Sequence, residues 1–366
     1  MKRLALFFDR TYIDAHHCFV ELANQLAKAG FGVDLYMVRN AANYQPFFEN
    51  QQIRILSFPR SKFELLDFWY QIRFSNERRY AALIGTPVEG VWLAYRVAKI
   101  QKVPYYYLAD ELVEHIIVNS PKDQQVKLAY QNRKANRHAK ATIALGENRY
   151  RKQVEFNHID YPHEHFVIPN AAAGQAIKLR SNYFRDIFNI NDQKPILLFA
   201  GTLQWSLAKR VYEETKGFSN RDYHLIFHGR TLGLMGEGSH PFIKISSVPL
   251  PYAMINYAFS SADIGLALYN KEITQESMNC LTGGKIGTYL KNELPLIAGN
   301  DLSLQLFQKE GVGIFWDGET PFDDIANKAI GNMNNMRMNI PSFYRHNLQY
   351  EFYFENFKKH LEKSII

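Results

Sequence analysis

Short apolar runs alternate with helix-period stretches along the whole chain, and this alternation limits the fold more than any other feature. "LALFF" (4–8) precedes a helical stretch from about Asp14 to Lys28, which Gly30 closes as a C-terminal cap, and "GVDLYMV" (32–38) follows. "YAALIG" (80–85), a helix over 88–100 and "PYYYLA" (104–109) repeat the unit, and "ATIAL" (141–145) and "HFVIPNA" (165–171) extend it. After the polar "NINDQK" (189–194) the series starts again. It runs through "PILLFAG" (195–201), a helix around 207–216, "YHLIFHG" (223–229), "FIKISS" (242–247), a helix around 251–260, "ADIGLAL" (262–268) and "LPLIAG" (294–299). Strands alternating with helices predict parallel sheets. At 366 residues the chain is too long for one small core. The expected fold is therefore α/β, with two Rossmann-like, doubly wound parallel-sheet domains, 1–184 and 185–343, facing a cleft. The closing stretch, 344–363, predicts one aromatic-rich helix.

Composition narrows the class of partner. The net charge of +7 is spread over a large chain and fits an anionic ligand or an anionic membrane surface. Nucleic acid is not expected, because zinc spacing, a basic-region helix and an RNA-binding signature are all missing from the sequence. Two cysteines, Cys18 and Cys280, suggest no disulfide framework. The start "MKRLALFFDR" has too short an apolar core for a signal peptide and reads as a first strand. The uncharged run 245–262 is broken by Pro249 and Pro251, so no spanning helix is predicted and the expected location is cytoplasmic.

In open parallel sheets ligands bind beyond the carboxyl ends of the strands, so the residues that follow strands are the candidates. In the first half these are His16, after the first strand, and Asp110 and Glu111, after "PYYYLA", with Glu114 and His115 close behind. Each carboxylate could accept a proton from an attacking hydroxyl or simply sit in an acidic helix start; His16 is a base, a sugar contact or a surface residue. In the second half Gly201 and Thr202 follow one strand, with Lys209 and Arg210 beyond, and Gly229 and Arg230 follow another. Glycine lets a backbone approach a ligand, and arginine can clamp a phosphate. "GGK" (283–285) precedes a helix, so free amides, the helix dipole and the Lys285 charge would point at an anion. It is not a nucleotide-hydrolase loop: Asn279 stands where the first glycine is needed, and Ile286 follows the lysine in place of a hydroxyl.

Four ordered segments carry a family resemblance: "VIPNA" (167–171), "PILLFAGTL" (195–203), "SADIGLALY" (261–269, ending at Tyr269) and "GGKIGTYLKNELPLIAG" (283–299). Over about 170 residues the second half resembles the nucleotide-sugar domain of GT-B glycosyltransferases, particularly the retaining family-four (group 1) type. The first half is similar only in its strand and helix order. The resemblance implies a nucleoside diphosphate sugar bound mainly by the C-terminal domain and an acceptor contacting the N-terminal one. It also implies that the last helix packs back across the domains and that no metal or other cofactor is needed. Carried over by position, Gly283, Gly284 and Lys285 would face the diphosphate; Lys209, Arg210 and Arg230 are further cations for it. Gly201, Thr202, Gly229 and Tyr269 would complete the donor site. Two departures stand out. Thr288 occupies the position of the family's ribose-binding acid, with Glu272 or Glu276 read either as its substitute or as a solvated loop carboxylate, and the first loop, "DRTYID", lacks the family's glycine pair.

The implied activity is hexosyl-type transfer to a glycan or glycolipid acceptor in surface polysaccharide or glycoconjugate synthesis. In a retaining reaction a departing phosphate oxygen takes the acceptor's proton, and Asp110 and Glu111 only position the acceptor. In an inverting one Asp110, Glu111 or His16 is the base. A sugar-nucleotide epimerase or hydrolase of the same fold, and a non-catalytic binding protein, are the alternatives. Separately, "SKFELLDFWYQIRFSNERRY" (61–80) mixes Leu65, Leu66, Phe68, Trp69, Ile72 and Phe74 with Lys62, Arg73, Arg78 and Arg79. It reads either as a helix lying on an anionic bilayer or as a core-facing helix with a basic edge.

Overall fold

Two sheets form from the apolar runs, each entirely parallel and each with its strands out of sequence order. The computed structural model describes residues 1–9, 16–38, 51–111, 113–161, 163–201, 206–217, 221–229, 240–247, 250–269, 282–299 and 302–365, without the side chains of Glu114, His115, Ser206 and Leu302. The chain divides into two compact units, Met1–Asn170 with Tyr350–Ile366, and Ala171–Gln349.

The first unit contains strands β1 (Arg3–Phe8), β2 (Gly32–Met37), β3 (Ile53–Ser57), β4 (Ala82–Gly85), β5 (Tyr105–Ala109), β6 (Ala141–Ala144) and β7 (His165–Val167). Its helices are α1 (His17–Lys28), α2 (Lys62–Phe74), α3 (Glu89–Gln101), α4 (Val113–Val118), α5 (Lys122–His138) and α6 (Glu147–Phe156). The sheet order is β3-β2-β1-β4-β5-β6-β7. Residues 4–8 are fully buried, as a parallel strand covered on both faces must be. On one face α2, α3 and α5 share a core with Phe7, Tyr36 and Leu83.

The second unit runs α7 (Tyr183–Phe188), β8 (Ile196–Ala200), α8 (Ser206–Thr215), β9 (His224–His228), β10 (Ile243–Ser246), α9 (Tyr252–Ser260), β11 (Ile264–Leu268), α10 (Gly284–Lys291), β12 (Leu296–Gly299), α11 (Gln305–Lys309), β13 (Gly313–Trp316) and α12 (Phe322–Asn347). Its order, β10-β9-β8-β11-β12-β13, repeats that of the first sheet. In each sheet the order reverses beside the first strand, between β1 and β4 and between β8 and β11. Ligand sites in doubly wound folds lie at such switch points.

Three features differ from the sequence reading. The division falls at residue 171 and not near 185, because Ala171 and Phe184 belong to the core of the second unit and the Ile177 amide donates to the Lys291 carbonyl at 2.8 Å. Strands β3 and β13 were not anticipated. The closing helix is two helices, α12 and α13 (Tyr350–Ser364), broken at 348–349. Phe343, Tyr344 and Leu348 pack in the second unit, whereas Tyr350, Phe354, Phe357 and Leu361 are buried in the first. Phe357 meets Tyr106 and Phe166 edge-on at 5.2 and 5.6 Å. Among the described residues no helix is long and apolar enough to cross a membrane.

Candidate functional site

Beside the switch point of the second sheet, the adjacent strands β8 and β9 end in glycines that no other residue could replace without strain. Gly201, after β8, has φ 135°, and Gly229, after β9, has φ 151°, both in the region that side chains disfavour. The Gly201 amide donates to the His228 carbonyl at 2.9 Å, and the Gly229 amide donates to the Ser246 carbonyl at 2.9 Å. A Cβ on Gly229 would overlap the Gly201 carbonyl oxygen, so the two turns nest against each other. His228 lies beneath them, buried, with Nδ1 3.1 Å from Ser246 Oγ; desolvation brings its pKa down to about 4, so it is neutral.

Helix α10 begins over this floor. Its N-cap, Gly283, has no capping side chain, and a Cβ there would overlap the Tyr269 hydroxyl. Lys285, in the first turn, extends its ammonium between two rings, 4.5 Å from the centroid of Phe199 and 4.4 Å from that of Tyr269. The residue as a whole is half-buried, but its charged end is enclosed, 3.5 Å from the Leu268 carbonyl. Burial pushes its pKa down to about 7. The ring faces favour the charged form, yet desolvation outweighs them. An ammonium in such a place, at a helix N-terminus and beside a glycine turn, suits an arriving anion.

The helix is fixed in position by Tyr289. Its hydroxyl accepts the Ala200 amide at 2.7 Å, and its ring fills the space where a Cβ on Gly265 would stand. Thr288 is buried, and its hydroxyl donates to the Gly284 carbonyl at 3.0 Å, so its proton is committed to its own helix. Arg210 pairs with Glu214 at 2.5 Å and donates to the Gly318 carbonyl, while Lys209 is exposed on α8. Thr202, Arg230, Glu272 and Glu276 lie outside the described residues.

In the first unit the structure joins two of the sequence candidates. His16, just before α1, places Nδ1 3.0 Å from Asp110 Oδ2 at the carboxyl end of β5. Both residues are buried, and the Phe8 ring meets the imidazole edge-on at 5.0 Å. Arg149 donates to the Asp110 carbonyl. Glu111 is exposed, Asp14 lies outside the described residues, and so do the side chains of Glu114 and His115. Asp9, after β1, instead holds the start of α3 by accepting the Glu89 amide at 2.8 Å.

No family model matches the sequence, and no curated protein matches it. Solved structures do match over the whole chain. HepE from Anabaena, in complex with UDP and glucose, aligns with a TM-score of 0.73 at 12% identity, over 99% of this chain and 100% of that one. A glycosyltransferase from Rickettsia africae aligns at 0.72 and 12% identity, over 100% and 98%. The fold is GT-B. Sucrose-phosphate synthase from Thermosynechococcus elongatus shares it, at a TM-score of 0.67 and 12% identity over 99% of both chains. Within this GT-B chain the structure brings together Lys285 and the Gly201 and Gly229 turns, which the sequence offers as separate candidates. Phe199, His228 and Tyr289, which line this candidate site, read in the sequence as ordinary strand and helix residues.

Proposed function

We propose that the protein transfers a sugar from a nucleoside diphosphate sugar to a hydroxyl of a glycan or glycolipid. The observation that carries this reading is the Lys285 ammonium, enclosed by Phe199 and Tyr269 at the start of α10 and beside the Gly201 turn. Gly283, Gly284 and Lys285 bind the diphosphate, and Gly201 and Gly229 let the backbone approach it. As the bond from the sugar's anomeric carbon to the diphosphate oxygen breaks, the electron pair leaves on the diphosphate. Lys285 and the helix dipole stabilise that charge in place of a metal ion, so activity is expected to persist in EDTA. HepE was captured with UDP-glucose, which makes UDP the first nucleotide to test.

One observation favours inversion over the retaining course that the resemblance implies. With Nδ1 of His16 directed at Asp110, Nε2 is the nitrogen left to accept a proton. In this course the acceptor oxygen bonds to the anomeric carbon on the face opposite the leaving group, and its proton passes to Nε2. Asp110 orients the ring and stabilises the imidazolium. A role in surface polysaccharide or glycoconjugate synthesis is consistent with such an acceptor. The test is titration calorimetry with UDP, GDP and CMP, followed by donor turnover with and without glycan acceptors. Binding of a nucleoside diphosphate and acceptor-dependent turnover are expected; failure of every nucleotide to bind overturns the reading.

A further inference from the structure

Helix α2 has two apolar faces, and only one of them is used by the core. Phe68 and Ile72 are buried against the first sheet, and Leu65 and Trp69 are packed beside them. Of the residues in this segment that suggested membrane contact, these four therefore face inward. Phe63, Leu66, Tyr70 and Phe74 instead follow one another at steps of three and four residues and form a second stripe on the other side. They are 84%, 68%, 62% and 64% exposed. Large side chains so fully exposed, contiguous along a helix, mark an interaction surface.

Charge identifies the occupant. Lys62 and Arg73 flank one edge of the stripe, and Arg79 joins them by donating to the Arg73 carbonyl at 3.4 Å. The Arg73 guanidinium stands 5.9 Å from the centroid of the Phe74 ring, and Tyr70 and Phe74 pack at 5.1 Å. The acidic residues Glu64 and Asp67 lie on the other edge, where they line a groove with Tyr36, Leu56, Phe68 and Arg78. In the same helix layer α5 exposes Val126 and Tyr130 among Lys127 and Lys134. Aromatic and aliphatic side chains at the centre with cations at the edge match the boundary of an anionic bilayer, where rings enter the headgroup region and cations meet phosphates.

We propose that the outer face of α2 docks the protein on an anionic lipid surface through Phe63, Leu66, Tyr70 and Phe74, with Lys62, Arg73 and Arg79 contacting lipid phosphates. The inference does not depend on the donor site. The test is cosedimentation with vesicles of phosphatidylcholine alone and of phosphatidylcholine mixed with phosphatidylglycerol, at low and high salt. Two variants accompany the wild type: Phe63→Ser with Leu66→Ser and Phe74→Ser, and Lys62→Gln with Arg73→Gln and Arg79→Gln. The wild type is expected to bind mixed vesicles only, and less at high salt. Each charge removed should weaken binding about fivefold, and the serine variant should lose it. All of these side chains are surface groups, so folding and nucleotide affinity, read by calorimetry, should stay as in the wild type. No binding to anionic vesicles at low salt overturns the proposal, as does equal binding by the serine variant. A wild-type dimer that the serine changes convert to monomer would also overturn it, by showing that a second copy covers the face.

Discussion

The Tyr289 hydroxyl accepts the Ala200 amide at 2.7 Å and so ties the helix that carries Lys285 to the end of the strand that carries Gly201. Removing this oxygen leaves a buried amide unpaired. Tyr289→Phe is expected to cost about 1–3 kcal/mol of stability. It should also weaken nucleotide binding, since α10 loses its anchor. Chemical denaturation and calorimetry on the same sample would show both, and an unchanged midpoint would contradict the anchoring role.

Lys285→Met keeps the apolar stem and removes the charge. If the ammonium meets a diphosphate, nucleotide affinity should fall by about 1.5–3 kcal/mol, the range for bonds to charged groups, or roughly tenfold to a hundredfold. Calorimetry with UDP checks this. An affinity within twofold of the wild type would move the diphosphate away from α10.

The lowered pKa of Lys285, about 7 against an ordinary 10.5, makes binding depend on pH. Below pH 7 the free protein already carries the proton; above it the proton is lost. A bound diphosphate restores it, so binding takes up a proton and affinity should fall as pH rises above 7. The unfolded chain keeps this proton up to the ordinary lysine range, so the free protein should gain stability between about pH 7 and pH 10. Calorimetry in two buffers of different ionisation enthalpy would measure the proton, and no uptake at pH 8 would refute the assignment.

The His16–Asp110 pair makes a kinetic prediction. His16→Gln should lower kcat about a hundredfold to ten-thousandfold with little change in KM, and adding Asp110→Asn should cost little more, because the two act as one unit. NMR of the product should show an inverted anomeric centre. A retained centre with near-normal kcat in both variants would dismiss the base while leaving sugar transfer intact.

Gly229→Ala combines a disfavoured φ with overlap on the Gly201 carbonyl, so it should cost at least about 2 kcal/mol and lower the melting temperature. An unchanged melt would mean that the nested turns can relax.

The sequence made the two-sheet pattern legible because its central strands are short, continuous apolar runs bounded by helices. Strand β3 escaped notice because Arg54 interrupts it; that charge is bound inside the unit by Asp34 through two contacts of 2.8 Å, a tertiary pairing that local pattern does not reveal. Strand β13 is four residues long and starts on a glycine. At the site, the glycines and the lysine carried a signal of their own. The aromatic walls did not, because Phe199 and Tyr289 look like any core residue until the sheet brings them together. His16 and Asp110, 94 residues apart in sequence, likewise became a pair only through the fold, which sets the start of α1 beside the carboxyl end of β5.

The break at 348–349 sends the last helix into the first unit, where Tyr350 is buried and its hydroxyl donates to the Cys18 carbonyl at 3.3 Å. Synthesis runs from the amino end, so residues 171–349 of the second unit are made before the first receives α13. A chain released before residue 350 would carry the lysine-bearing half whole and leave Tyr106 and Phe166 without the Phe357 ring that packs on them. The half of the protein made first is thus the one that matures last.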